Sequence, residues 1–495
     1  MDYMKFILLI SFLYAVIHIL FSSLNRKNTK SPKLPPGPPC YPLIGNILQL
    51  DTSNLPQSLS KLSQKYGPIM TVKVGTIKTV VISSPTLAKE TLHKNGPALN
   101  TRFTPDSVKA LSHEEASVLY MAVSPKWNAF RKVCGTKIFS SQNLHSSQSL
   151  RREKLKELIL HLKENCREGK GVDIADATFT TVLNSMSNTF FSVDFARYCS
   201  VSSKKFRDVI SSVLVETSKP NIADYGSIFS RFDPQGARRR MRSYYQVLLA
   251  DFESIIEERL QKKDPIEGSD VLDSLLEYTR KEKSELTCND LLHLFLDLFI
   301  AGLDSTSSTV EWALAGLLQN PEKLKKTMKE LQQVLSKDGE LTDSDINKLP
   351  YLQAVVKETL RLHPPGPLLA YKSVAEVEIC GFRLPKDATV LVNVWGMGHD
   401  SSIWTDPNLF LPERFLEGED NLREDIGFNP FGAGRRICPG VPFAHRVVHT
   451  MLATLLYHFD WKLADGQKSE AMDMTEKFMV TLSKGKPLMA IPVKE

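Results

Sequence analysis

Among the residues able to do chemistry, one cysteine stands out by its surroundings. Cys438 lies in the stretch Phe431-Gly432-Ala433-Gly434-Arg435-Arg436-Ile437-Cys438-Pro439-Gly440. Gly434 and Gly440 let the backbone approach a flat ligand where a side chain would collide. Pro439 suits the first position of a helix, which places Cys438 at the N-cap. There a thiol faces free backbone N–H groups and the positive end of a helix dipole, and both favour the thiolate. Such a thiolate is a ligand for soft iron. In haem enzymes it pushes electron density onto the metal and favours O–O cleavage. Arg436, two residues earlier, is placed to meet a haem propionate. A second cluster, Ala301-Gly302-Leu303-Asp304-Ser305-Thr306, interrupts an apolar helix expected over 287–318. Its hydroxyls can take carbonyls from the helix ladder and bend it, and Gly302 leaves space alongside. Glu358 and Arg361, three apart, can pair on one helix face, and Trp127 and Arg131, four apart, share another.

The loop fits the pattern FxxGxRxCxG at every fixed position, and in this it resembles the haem-binding loop of the cytochrome P450 superfamily of haem-thiolate monooxygenases. The resemblance implies haem b as cofactor, with Cys438 as axial ligand of its iron and Phe431, Gly434, Arg436 and Gly440 around it. It also implies that Trp127 and Arg131 of Trp127-Asn128-Ala129-Phe130-Arg131 contact haem propionates. Ala301 and Gly302 would form an oxygen-binding groove. Asp304 would help deliver protons there, with the hydroxyls of Ser305 and Thr306 ordering water. Glu358-Thr359-Leu360-Arg361, with Phe410-Leu411-Pro412-Glu413-Arg414-Phe415 downstream, resembles the family's structural Glu-Arg-Arg triad, formed by Glu358, Arg361 and Arg414. Three positions depart from the pattern. Ser305 stands at the usual threonine, without the methyl that restricts χ1. His399 stands where relatives carry an arginine that meets a propionate, and Leu368-Leu369-Ala370-Tyr371-Lys372 replaces the more common LLPR or LLPH.

LPPGP, LPYLQAVVKETLRLHPPGPLL and NPFGAGRRICPG are typical of the plant branch of the superfamily. Asp233-Pro234-Gln235-Gly236 followed by Arg238-Arg239-Arg240 resembles the geraniol hydroxylase and abietane diterpene oxidase subgroup. A terpenoid is therefore the expected substrate, with a phenolic or alkaloid metabolite as the alternative. Expected pocket walls include Phe103 in the loop at 101–124, Phe299, Leu368, Leu369, Ala370, Phe478 and Met479. The chain has no GxGxxG turn and no flavin or ferredoxin-like segment, so electrons from NADPH must arrive through an external reductase, and O2 is the co-substrate. Lys126, Arg131, Lys132, Lys137, Arg435 and Arg446 could dock an acidic partner. A haem-thiolate isomerase or dehydratase would need neither O2 nor reductase, and Asp304 beside a hydroxyl argues against it. A non-catalytic haem-binding membrane scaffold is the remaining alternative.

Periodicity shows which elements must hold these residues. Helices are expected at 126–138, 148–166, 237–262, 287–318, 321–336, 350–362 and 439–458, with short strands around 69–82 and 370–393. The fold class is thus mainly α with a small β region, the cytochrome P450 fold by resemblance, preceded by one transmembrane helix. The apolar run at 6–24 would span about 28 Å as a helix, close to the roughly 30 Å core of a bilayer. Arg26, Lys27, Lys30 and Lys33 follow it and Lys5 precedes it. By the positive-inside bias the body faces the cytoplasm, as in a single-pass protein of the endoplasmic reticulum. Residues 1–25 read as the anchor, 26–40 as a basic, Pro-rich hinge or linker, and 41–495 as one catalytic domain. With 495 residues, 42 % hydrophobic and 24 % charged, the chain is neither collagen-like nor disordered, and its seven cysteines form no CxxC pair. A net charge of +6, spread along the chain, is too diffuse to argue for nucleic acid.

Overall fold

The computed structural model describes residues 34–493 except positions 43, 76, 226, 262–269, 282–283, 336–340, 417–429 and 467. At 227–229 and 465 it describes the backbone alone, and ahead of residue 34 it describes only Ser11, Phe12, Tyr14 and Val16. The apolar run at 6–24 therefore lies almost wholly outside the described residues. Among those residues no helix is long and apolar enough to cross a membrane.

The body is mostly helical. Its longer helices are α1 (Leu55–Tyr66), α2 (Pro85–Lys94), α3 (Pro125–Val133), α4 (Gln148–Glu168), α5 (Ile174–Phe191), α6 (Val201–Ser218), α7 (Ala237–Gln261), α8 (Cys288–Gln319), α9 (Pro321–Val334), α10 (Pro350–Leu362) and α11 (Val441–His458). A four-stranded sheet takes the order β1 (Ile69–Val74), β2 (Ile77–Ile82), β7 (Thr389–Asn393), β4 (Leu368–Lys372), in which β2 and β7 are parallel and the other pairs antiparallel. β5 (Val377–Ile379) and β6 (Phe382–Leu384) form a hairpin beside it. A second sheet is ordered β3 (Val172–Asp173), β11 (Met489–Val493), β8 (Asp460–Leu463), and β9 (Glu476–Phe478) pairs with β10 (Leu482–Lys484). β-branched residues fill the central strands: Val80, Val81, Ile82 and Val390 are fully buried.

The Pro-rich stretch packs earlier than its composition suggested. Pro35 and Pro38 are buried, the Pro36 carbonyl accepts the Thr71 N–H at 2.8 Å, and Asn46 Nδ2 donates to the Pro39 carbonyl at 3.1 Å. The packed body thus begins inside the segment read as hinge or linker, because β1 offers its edge to it.

α8 runs through the core and packs most extensively against α5. Thr287 and Asp290 cap its start reciprocally, each accepting the other's backbone N–H. Contrary to the expected interruption, the helix is continuous through 301–306. Its hydroxyls bond back one turn instead: Ser305 donates to the Ala301 carbonyl at 2.6 Å, Ser307 to Leu303 at 2.9 Å and Thr309 to Ser305 at 2.7 Å. α5 uses the same device. Thr178, Thr180, Thr181 and Thr189 each donate to the carbonyl four residues back, so a helix rich in polar side chains is buried on nearly every face.

Near its end α8 carries a buried carboxylate. Glu311 accepts the Leu488 N–H at 2.7 Å and ties the start of β11 to the helix. Burial pushes its pKa up to about 7. Between the ordinary carboxylate range and that value the folded chain holds a proton that the unfolded chain has released, so this group's contribution to stability falls as pH rises across the window. Glu311→Gln keeps the acceptor and cannot ionise. Its stability relative to wild type should rise by roughly 2–3 kcal/mol from pH 5 to pH 8, read from thermal midpoints of both proteins. A pH-independent difference would contradict the assignment.

Candidate active site

The loop bearing Cys438 is set between α11 and the four-stranded sheet. α11 begins at Val441 with Gly440 as its N-cap, so Cys438 lies two residues before the cap rather than on it. Pro442, not Pro439, takes the first-turn position. Burial pushes the Cys438 thiol above its ordinary value, opposed by the N–H groups of Gly440 and Val441 and by Arg131 and Arg102. The helix start thus favours the thiolate as expected, but burial outweighs it. The side chain is nonetheless accessible. A group that is both accessible and surrounded by protein faces an internal space.

Glycine at 432 and 434 follows from local contacts. Both have positive φ, +76° and +67°. A Cβ on Gly434 would stand 3.0 Å from the Leu92 carbonyl oxygen, and one on Gly432 would touch Leu369 and the Tyr371 hydroxyl at 3.5 and 3.7 Å. Gly440 is not left-handed, and a Cβ there would meet the Cys438 sulfur at 3.8 Å, ordinary contact. Phe431 is half-buried, and its carbonyl accepts the Cys438 N–H at 3.0 Å.

Three guanidinium groups converge on this loop. Arg436 Nε donates to the Asn100 carbonyl at 2.8 Å, and its other nitrogens donate to the Leu119 and Met121 carbonyls. Burial pushes it down to about 10, helped by repulsion from Arg102, Arg131 and Arg435. Arg131 is likewise lowered, chiefly by burial. Arg131 and Arg436 both lie over the Trp127 ring, 5.7 and 5.0 Å from its centroid, while the Trp127 Nε1–H donates to the Val118 carbonyl. Among the described residues, no carboxylate ion-pairs with Arg102, Arg131 or Arg436. In the same place the Tyr371 hydroxyl is buried without a hydrogen-bond partner.

α8 supplies the opposite wall. Ala301 is exposed although residues 293–300 before it and 306–318 after it are buried, so the helix opens onto an internal space there. Ser305, one turn on, shares that face; Thr306 is buried. The space expected beside Gly302 is filled: a Cβ there would meet the Met186 methyl at 3.0 Å, so this glycine admits α5 rather than a ligand. Asp304 is held by the Thr481 hydroxyl at 2.5 Å, and burial pushes its pKa up. The aspartate one turn before Ala301 was not singled out from the sequence. Asp297 accepts from Ser117 Oγ at 2.8 Å and from the Leu119 N–H, and lies 3.0 Å from His113 Nε2; His113 Nδ1 is 2.9 Å from His293 Nδ1. This buried network pins the 106–120 segment onto α8. Its sequence signal was a lone carboxylate in the apolar run LFLDLFI. Arg131, Asp297 and Cys438 all act on the buried Cys134 thiol, which places the α8 wall and the cysteine loop in one electrostatic neighbourhood.

Several expected site residues lie elsewhere. His399 stacks on Trp395 at 3.8 Å and its Nδ1–H donates to the Trp395 carbonyl. The charged groups acting on it are Glu476, Arg361 and His363, not the arginines around Cys438, and burial holds it neutral. It terminates the short helix Val394–Gly398 instead of facing the loop. Phe299 is fully buried in an aromatic cluster, 5.8 Å from Phe190 and 5.0 Å from Phe252. Leu368 packs toward α1 with Leu59 and Met70, on the sheet face opposite Leu369. Phe103, Ala370 and Phe478 are half-buried; Met479 is buried beside the turn that carries Thr481. Of the expected docking cations, Lys126 is paired with Asp290 at 2.6 Å and Arg446 with Asp343 at 2.9 Å.

Glu358, Arg361 and Arg414 do meet. Glu358 and Arg361 are fully buried and bond twice, at 2.7 and 2.9 Å, while Arg414 Nε donates to Glu358 at 3.1 Å. Arg361 spends its remaining donors on the carbonyls of Gly398, Pro407 and Leu409. The node thus ties α10 to the irregular segment at 398–414. Glu358→Ala would strand two guanidinium groups, at a cost of about 3–5 kcal/mol. We expect a large fall in thermal midpoint and loss of bound cofactor; a variant that melts with wild type would contradict this role.

An accessible thiol, with three uncompensated guanidinium groups and a buried, unpartnered phenol beside it, forms a donor set that fits a flat dianionic macrocycle whose metal takes a sulfur ligand. The comparisons agree. The chain is 45 % identical to cytochrome P450 76T24 of Catharanthus roseus, covering 100 % of this chain and 99 % of the relative. It is 44 % identical to cytochrome P450 monooxygenase 76AD131 of Lophophora williamsii and to geraniol 8-hydroxylase of Catharanthus roseus, covering 99 % of each chain in both cases. The family model for cytochrome P450 matches residues 35–489, and the chain belongs to that family of monooxygenases, which hold haem b and receive NADPH electrons through a reductase.

Proposed function

We propose that this protein hydroxylates a terpenoid of monoterpenoid or diterpenoid size, with Cys438 as the residue whose sulfur would hold the haem iron. The observation that carries the substrate class is the near full-length similarity to two geraniol 8-hydroxylases, at 44 % and 43 % identity. The bound haem supplies O2 activation. Arg102, Arg131 and Arg436 would hold its carboxylates, and their uncompensated charge supports that role. Ala301 and Ser305 border the oxygen side. Asp304, half-buried and with its pKa raised above the ordinary value by burial, holds a proton more readily than an exposed carboxylate and stands next to Ser305 in the helix.

The substrate lies against Leu369 and Ala370 of β4 and the turn near Phe478, with half-buried Phe103 on the facing segment. These walls are mainly apolar, so size and shape select the substrate. Exposed Lys132 and Arg435 and half-buried Lys137 leave a positive face for an acidic reductase. The apolar run at 6–24 and the basic residues after it support a single anchor in the endoplasmic reticulum with the body in the cytoplasm.

Full-length protein with an NADPH–cytochrome P450 reductase should consume NADPH in response to geraniol or an abietane. The product should gain one oxygen atom, labelled when ¹⁸O2 is supplied. NADPH consumption that answers phenolic or alkaloid compounds but no terpenoid would overturn the substrate class. Without the methyl that restricts χ1, the Ser305 hydroxyl is held only by its bond to the Ala301 carbonyl, which weakens control of water. Ser305→Thr should therefore lower the hydrogen peroxide released per NADPH several-fold; an unchanged peroxide yield would refute this reading.

A further inference from the structure

The unpartnered Tyr371 hydroxyl beside the Cys438 loop implies a specific partner. The residue lies on β4, is 2 % exposed, and its hydroxyl has no partner among the described residues. A phenol left unsatisfied inside a protein is destabilising, so the position calls for a partner that the described residues do not supply. The surroundings say what that partner is. The hydroxyl lies 3.7 Å from where a Cβ on Gly432 would stand, at the loop that presents Cys438. The Arg102 guanidinium lies 5.5 Å from its ring centroid, and Arg436 acts on the same phenol.

This placement is built in. Thr101 and Lys372 are bridged twice: the Lys372 N–H donates to the Thr101 carbonyl and the Thr101 hydroxyl donates to the Lys372 carbonyl, both at 2.9 Å. The bridge fixes Arg102 over the ring of the neighbouring tyrosine. Burial pushes the phenol above its ordinary pKa, so it remains a neutral O–H donor. A donor flanked by two unpaired cations meets one kind of partner, an anionic oxygen.

We propose that the Tyr371 hydroxyl donates a hydrogen bond to a haem carboxylate, the one attracted by Arg102 and Arg436, and so acts as a positioning residue for the cofactor. The proposal rests on the haem reading of the site.

Tyr371→Phe removes one oxygen and keeps the ring in its packing. Full-length holoenzyme, wild type and variant, would be compared by haem transfer to a scavenging apoglobin and by resonance Raman spectroscopy of the haem propionate bending bands. The variant should lose haem roughly tenfold faster, as expected for a lost hydrogen bond to a charged group, and its propionate bands should shift. Tyr371→His restores a donor and should return both readouts toward wild type. A Phe variant with wild-type transfer rate and unchanged bands, while still ligated through thiolate, overturns the proposal. A wild type that takes up haem without thiolate ligation instead overturns the underlying reading, and the proposal with it.

Discussion

Positive charge without a counter-charge organises the centre of this molecule. Arg102, Arg131 and Arg436 surround the Cys438 loop and repel one another, and burial lowers Arg131 and Arg436 below the usual guanidinium range. No salt bridge among the described residues relieves them. The chain holds the groups in place by other means: three backbone carbonyls for Arg436, the Trp127 ring beneath Arg131 and Arg436, and the Thr101–Lys372 bridge under Arg102. An anion with two carboxylates stabilises this arrangement by binding the folded state alone, so cofactor and fold are linked.

The frame that resists the repulsion is built from buried polar groups that bond to one another and to the backbone. Glu358 accepts Arg361 and Arg414 as well as the Leu411 N–H, and every donor of Arg361 is used. Asp297 does similar work on the other wall, where it fastens the 106–120 segment to α8 through Ser117 and His113. Hydroxyls on α5 and α8 return their donors to their own helices, which lets two polar-bearing helices pack through the core. Buried networks of this kind favour one arrangement over near alternatives.

Much of this was legible in the sequence wherever one periodicity dominated. α4, α7, α8, α9 and α10 start and end within about two residues of expectation, since each alternates an apolar stripe with charge or carries a cap or a proline. α5 was missed because buried Thr, Ser and Asn on nearly every turn erase the stripe. α1 and α2, short and lightly apolar, gave too weak a period. The Glu358–Arg361–Arg414 contact followed from spacing and order, whereas His399 did not meet the cysteine loop because Trp395 stacking and the end of a short helix decide its position. Phe299, expected at a pocket wall, is buried among aromatic rings: an aromatic on a helix buried all round carries no signal for which side is empty. Asp297 and Tyr371 acquire meaning only from neighbours 184 and 61 positions away in the chain, His113 and Gly432, and no local pattern reports such distances.

The account stands on iron bound by the Cys438 sulfur. Its most direct test is the carbon monoxide difference spectrum of the dithionite-reduced, full-length protein in membranes, with Cys438→Ser alongside. The account predicts a red-shifted, thiolate-type Soret band in wild type that is absent from the variant. A folded, haem-loaded wild type showing only an imidazole-type or neutral-thiol band would contradict it.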